Sequence, residues 1–198
     1  MNKIILIFVC FLILVPNQVI KADDSINDSL IKAAADCNLS RVKYALSQGA
    51  DIGAQNESVD LVAMSNGSYK CIKVMKLLLN NGVDINAPIG NDGATALMTA
   101  TLLNGIRMVK FLLSYGADVN LVNNSGWTAL ITASLLGEVT IVKLLLSHGA
   151  DVNVKASDKK DLGDKVITAL SVAEMKKHLD PAKYGVIIKL LKAAGAKE

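Results

Sequence analysis

Four short motifs stand in register along the chain: Gly-Ala-Asp-Ile at 49–52, Gly-Val-Asp-Ile at 82–85, and Gly-Ala-Asp-Val at 116–119 and again at 149–152. Their glycines are 33, 34 and 33 residues apart, and a degenerate fifth ending follows at Gly195-Ala196. No other feature constrains the fold as strongly. A repeated unit of this length cannot bury its own apolar face, so stability requires neighbours stacked on both sides.

The stretch Gly126–Asn153, GWTALITASLLGEVTIVKLLLSHGADVN, carries one complete unit. Thr128-Ala129-Leu130 opens a helix that Ala133, Leu135 and Leu136 continue and Gly137 stops. Val139 to Leu146 is a second helix, apolar at Ile141, Val142, Leu144, Leu145 and Leu146. Gly149 ends it, as glycine does where positive φ is needed. Ala150 to Asn153 leads out as an extended arm. The entry Ser125-Gly126-Trp127-Thr128-Ala129-Leu130 matches Asp92-Gly93-Ala94-Thr95-Ala96-Leu97 one period earlier.

The period, the helix-turn-helix pattern, this entry and the Gly-Ala-Asp-Val-Asn exit together resemble the ankyrin repeat. The resemblance covers nearly everything after residue 27. It implies an all-α solenoid of about five helix-turn-helix units joined by hairpin loops, with repeats at about 28–56, 57–88, 89–121, 122–154 and 155–198. Relative to the family pattern, the entry proline is replaced by Ala96 and Ala129, and the entry histidine by Met98 and Ile131; Thr95 and Thr128 are kept. Losing the family's Thr–His network implies lower stability or more apolar packing within the same fold.

Residues 1–22 form a different kind of segment. Lys3 precedes an unbroken apolar run, Ile4 to Val15, and Pro16 and a small residue, Ala22, follow. This is the layout of a secretory signal peptide cleaved after Ala22. The run is short for a membrane span, which needs about 20 residues; retention as an N-terminal anchor is the alternative. Cys10 lies inside the run after bulky Phe8-Val9, which disfavours a lipid-attachment site. The expected mature chain, residues 23–198, is therefore exported, periplasmic or secreted. Loss of Lys3 and Lys21 takes its formal charge from +3 to +1, so net charge indicates neither a nucleic-acid nor an anionic-membrane partner. No stable membrane insertion is expected after cleavage, and a monomer is expected.

Two cysteines remain, Cys37 and Cys71. An even number in an exported chain invites a disulfide. Repeat alignment puts Cys37 at the end of the first helix of repeat 1 and Cys71 in a lengthened turn of repeat 2, Gly67 to Cys71. Neighbouring repeats stack roughly 10 Å apart, so a bridge requires that turn to lean over; two partly buried free thiols are the favoured alternative. In repeat 1, Asp28 or Ser29 is the expected helix cap. In the last repeat the excess length falls in a charged loop, Lys155 to Lys165, and around Lys177–Pro181. Pro181 is expected to start a helix with Val186, Ile187, Leu190 and Leu191 inward and Lys183, Lys189 and Lys192 outward. The charged loop reads as a solvated finger or, alternatively, a partner-docking one.

No catalytic, cofactor or metal motif is present. His148 beside Asp151 lacks further ligands nearby, and metal sites need three or four. No nucleophile elbow or phosphate loop occurs. Gly90-Asn91-Asp92-Gly93 is turn chemistry. Binding has better candidates. The resemblance implies partner-facing positions at the hairpin tips (Asn91, Asp92 and Ala94; Asn124, Ser125 and Trp127) and on the inner helices (Leu102 and Leu103; Leu135 and Leu136), with Tyr115 and His148 near the outer-helix exits. The leucine pairs are expected mainly to pack in the core, with one of each pair half exposed. Trp127 either folds back on its hairpin or anchors a partner. The expectation is an exported protein-interaction scaffold without catalysis or cofactor, binding a protein through its concave face. A regulator or inhibitor of an envelope or host enzyme, and a passive stress-protective envelope accessory, are the alternatives.

Overall fold

The computed structural model describes residues 24–51, 68–157 and 166–197. Helices α1 (Asp24–Ala35) and α2 (Leu39–Ser47) form repeat 1. Helix α3 (Tyr69–Asn80) is the outer helix of repeat 2; the rest of that repeat up to residue 67, including the irregular entry at Ser58–Leu61, lies outside the described residues. Repeat 3 is α4 (Ala96–Leu102) and α5 (Ile106–Ser114); repeat 4 is α6 (Ala129–Leu136) and α7 (Val139–Ser147). A two-stranded antiparallel ribbon, β1 (Ala156–Ser157) and β2 (Val166–Ile167), precedes α8 (Ala169–Lys176) and α9 (Pro181–Ala193) of the last repeat. The charged loop spans this ribbon, and residues 158–165 of it lie outside the described residues. Helices α4, α6 and α8 stack in an inner layer; α5, α7 and α9 stack in an outer one.

Local chemistry sets the helix bounds. Thr95, Thr128 and Thr168 each accept from a backbone amide three residues on (Met98, Ile131 and Ser171) and so cap α4, α6 and α8. The Met98 sulfur in turn accepts from the Thr95 amide at 3.5 Å, so the residue replacing the family's histidine keeps one polar contact at the entry. Asp180 caps α9, and Pro181 stands in its first turn as expected. Gly137 closes α6 at φ 73°. Cys37 (φ 51°) and Asn104 (φ 53°) hold the equivalent left-handed turn in repeats 1 and 3.

Each outer helix buries one face: Val42 and Ala45; Val74, Met75 and Leu78; Met108, Val109, Leu112 and Leu113; Ile141, Val142 and Leu145; Tyr184, Ile187 and Leu191. The inner helix α6 buries Ala129, Leu130, Ile131, Ala133 and Ser134 because it is packed by a helix on either side and one behind. Each fully buried Leu, Ile or Met contributes roughly 1.5–3 kcal/mol against exposure.

Three sequence readings of helix bounds and faces change. Helix α1 begins at Asp24, so Asp28 and Ser29 lie inside it and do not cap it. Tyr69 to Cys71 belong to α3, capped by Ser68 accepting from the Cys71 amide; the excess residues of repeat 2 lengthen its outer helix at the start instead of forming a loop. In α9, Val186 is exposed, while Lys183 is half-buried with its ammonium donating to the Leu136 carbonyl at 3.3 Å. Thirteen residues leave α9 about one turn longer than α7, and that extra first turn reaches back over the preceding repeat.

A row of asparagines joins the exit arms. The Asn86 side-chain oxygen accepts from the Asp118 amide at 2.8 Å, Asn120 from Asp151 at 2.8 Å, and Asn153 from Lys197 at 3.0 Å. Asn120 and Asn153 also donate to the carbonyls of Gly149 and Gly195. At the N-terminal end, buried Asn27 supplies the same acceptor to the Asp51 amide at 2.9 Å. Within each arm an aspartate (Asp84, Asp118 or Asp151) accepts from the amide two residues on, fixing the turn that aims the asparagine.

Repeats 1 and 2 are joined covalently. Cys37 and Cys71 form a disulfide with their Cα atoms 4.7 Å apart. The contact requires no leaning loop. Because α3 starts early, its first turn carries Cys71 over the left-handed turn that holds Cys37.

Asn120→Ala removes two bonds between repeats, so it should lower stability by about 1 kcal/mol. Thermal unfolding should then shift down by about 2–4 °C; an unchanged midpoint would show that the row is incidental. Protein prepared without reductant should show no titratable thiol at Cys37 or Cys71 after unfolding, and a 34-residue separation implies that reduction costs roughly 2–4 kcal/mol. Two free thiols in the unfolded, unreduced protein would contradict the bridge.

Candidate binding surface

The hairpin tips form a ladder. In the tip of repeat 3, the Ile89 amide donates to the Ala94 carbonyl, and the Asp92 carboxylate accepts from the Ala94 amide at 3.2 Å. In the next tip, the Asn123 side chain accepts from the amides of Ser125 and Trp127. The tips are then joined: Asn124 donates through its amide to the Asp92 carbonyl and through its side chain to the Asn91 carbonyl at 3.0 Å. The Ser157 amide of β1 continues the row to the Ser125 carbonyl. Asn91, Asp92, Asn124 and Ser125 thus sit at exposed tips, and Asn124 also joins two of them. Gly126 is constrained there: it has φ 78°, and a Cβ would lie 3.2 Å from the Ala156 backbone.

Trp127 is half-buried. It packs partly on the core and forms one wall of an open groove with Ile89, Met98, Leu102 and Thr132, of about 320 Å³. Both sequence readings of this side chain therefore apply in part: it folds toward its own hairpin and still faces solvent.

The leucine pairs behave differently from each other. Leu102 and Leu103 are 59% and 53% exposed, so the expectation of mainly core packing fails for this pair. Leu135 and Leu136 are half-buried. The cause is the length of the outer helix in the repeat that follows each pair. Helix α9 begins early enough for the Tyr184 hydroxyl to donate to the Leu135 carbonyl at 2.9 Å and for Lys183 to reach Leu136. Burial, with the Asp180 and Glu138 carboxylates nearby, raises the Tyr184 pKa and keeps that hydroxyl a donor. Helix α7 starts only at Val139, one turn shorter, and leaves the end of α4 open.

Tyr115 and His148 occupy the caps that end α5 and α7, away from this groove. Tyr115 stacks on Phe111 with ring centroids 4.3 Å apart. The His148 Nδ1 faces the Leu144 carbonyl at 2.8 Å in its own helix. The structure therefore gathers Asp92, Leu102 and Trp127 in one groove and leaves Tyr115 and His148 outside it. Sequence reasoning missed Ile89, Met98 and Thr132 as groove walls; the available signal was relational, Thr132 lying in the helix that follows Trp127 and Ile89 and Met98 in the preceding repeat. Among the described residues, no three His, Cys, Asp or Glu side chains cluster as metal ligands.

A family model for ankyrin repeats, in three copies, matches residues 30–123 and 73–156. No curated protein matches the chain at a significant level. With most of its length matched and with the stacked helix pairs, hairpin tips and joined arms of a solenoid, the chain belongs to the ankyrin-repeat family, whose repeats are protein-interaction modules.

Proposed function

We propose that the protein is an exported, non-catalytic interaction scaffold that takes a protein partner into the groove at the boundary of repeats 3 and 4. The observation that supports this is the uncovered end of α4. Two leucines more than half exposed stand where the equivalent pair of repeat 4 is covered, and Leu102 adjoins the chain's only tryptophan. A preformed apolar pocket with an aromatic wall is the kind of place where binding hot spots concentrate. The polar tips at Asn91, Asp92 and Ser125 supply the rim. Export is supported by the layout of residues 1–22 and by a disulfide, which persists in oxidising compartments.

The test uses protein recovered from the envelope or medium, whose first residue should be Asp23, as bait for extract of those compartments. The double variant Trp127→Ala, Leu102→Ala should lose a partner that the wild type retains, with affinity falling at least 30-fold if both act as hot spots. Partner binding should also shift Trp127 emission to the blue. Equal capture by both proteins would place the interaction elsewhere, and a first residue of Met1 would contradict export with cleavage.

A further inference from the structure

The net charge conceals a segregation of charge by layer. The five outer helices, α2, α3, α5, α7 and α9, carry lysine and arginine but no aspartate or glutamate. The carboxylates of the described residues lie on the exit arms, hairpins, inner helices and inter-helix turns, and those of Asp84, Asp92, Asp118 and Asp151 are engaged by backbone amides. Lys43, Lys76, Lys110, Lys143 and Lys189 each stand six residues before their repeat's closing glycine, one per outer helix. All five are exposed, and among the described residues none makes a hydrogen bond or ion pair. Outer helices α2 and α3 pack on each other, as do α5, α7 and α9 in turn; with one lysine per helix and a helix roughly 10 Å across, they form a row of free cations along the outer layer.

The row is not purely polar. A half-exposed or exposed apolar or aromatic side chain follows each lysine: Tyr44, Leu77, Phe111, Leu144 and Leu190. Tyr44 is 68% exposed, and Tyr115, stacked on Phe111, is exposed as well. Lysines with long apolar stems beside tyrosines suit the headgroup boundary of a bilayer, where cations meet anionic lipid and aromatic rings sit at the interface. A linear polyanion would use the charges but would leave the apolar neighbours wet. We infer that the outer-helix face docks peripherally on an anionic lipid surface, leaving the groove on the opposite layer free. No helix among the described residues is long and apolar enough to cross a membrane, and this docking requires none.

The experiment is co-sedimentation of the full chain with phosphatidylglycerol–phosphatidylcholine vesicles and with phosphatidylcholine vesicles. The N-terminal apolar run is common to every sample, so the ratio of the two affinities isolates the charge term. Lys76→Gln, Lys110→Gln, Lys143→Gln should cut that ratio about a hundredfold at low salt, taking about fivefold per lysine, and raised salt should do the same to the wild type. A control triple with equal charge change, Lys32→Gln, Lys155→Gln, Lys177→Gln, should leave it within about threefold, and circular dichroism should show both triples folded. Equal losses in the two triples would reduce the effect to net charge and overturn the proposal. Failure to prefer anionic vesicles would overturn it too, as would tight row-dependent binding to long-chain polyphosphate in its place.

Discussion

From repeat 2 onward the solenoid depends on a bond made outside its helices: the asparagine of one exit arm (Asn86, Asn120 or Asn153) accepting from a backbone amide of the next arm. Apolar burial between repeats is non-directional and scales with the area removed from water, so it selects a register less sharply than a hydrogen bond does. The bonds Asn86–Asp118, Asn120–Asp151 and Asn153–Lys197 fix the register in which that stacking occurs. They use arm amides that no helix satisfies, so the same contact removes an orphan donor and sets the spacing. The aspartate two residues before each asparagine holds the turn that aims it. This accounts for the recurrence of Asp in all four motifs and of Asn in the last three, while the neighbouring apolar residues vary between Ala and Val or Ile and Val. Asn27 supplies the same acceptor from within α1, which gives the first described repeat a partner for its arm.

Outer-helix length is the second determinant, and it decides where the surface is open. Repeats 2 and 5 have outer helices one turn longer than repeats 3 and 4. The extra turn of α3 reaches the Cys37 turn and closes it with a disulfide. The extra turn of α9 reaches the end of α6 and closes it with Tyr184 and Lys183. Helix α7 has no such turn, so the end of α4 stays open beside Trp127. The groove is thus a consequence of where extra residues were inserted, and it is placed between two reinforced ends.

Much of this was legible in the sequence. The glycine period, the threonine caps, the stop at Gly137 and the start at Pro181 are local signals, set by backbone conformation and by orphan amides within a few residues. What stayed hidden was relational. Leu102-Leu103 and Leu135-Leu136 occupy identical places in their own repeats, and what distinguishes them is the length of the outer helix of the following repeat, α7 for one pair and α9 for the other. The extra residues at Gly67–Cys71 and at Lys177–Pro181 were visible as length, but length alone does not say whether a loop grows or a helix gains a turn. Groove walls such as Met98 and Thr132 carry no signal of their own, being ordinary helix residues made into a surface by a neighbour. The charge layering escaped notice because summing over the chain cancels it.

The measurement that bears most directly on the central claim is amide hydrogen exchange at Asp118, Asp151 and Lys197. These amides lie in non-helical arms with no helix or sheet partner, and residues in such positions ordinarily exchange at rates close to those of open loops. If the asparagine row sets the register of the stack, they will be protected to a degree comparable with the helices on either side, and Asp151 will lose that protection in Asn120→Ala. Exchange at loop rates in the wild type, with the helices still protected, would mean that apolar stacking alone holds the repeats in place.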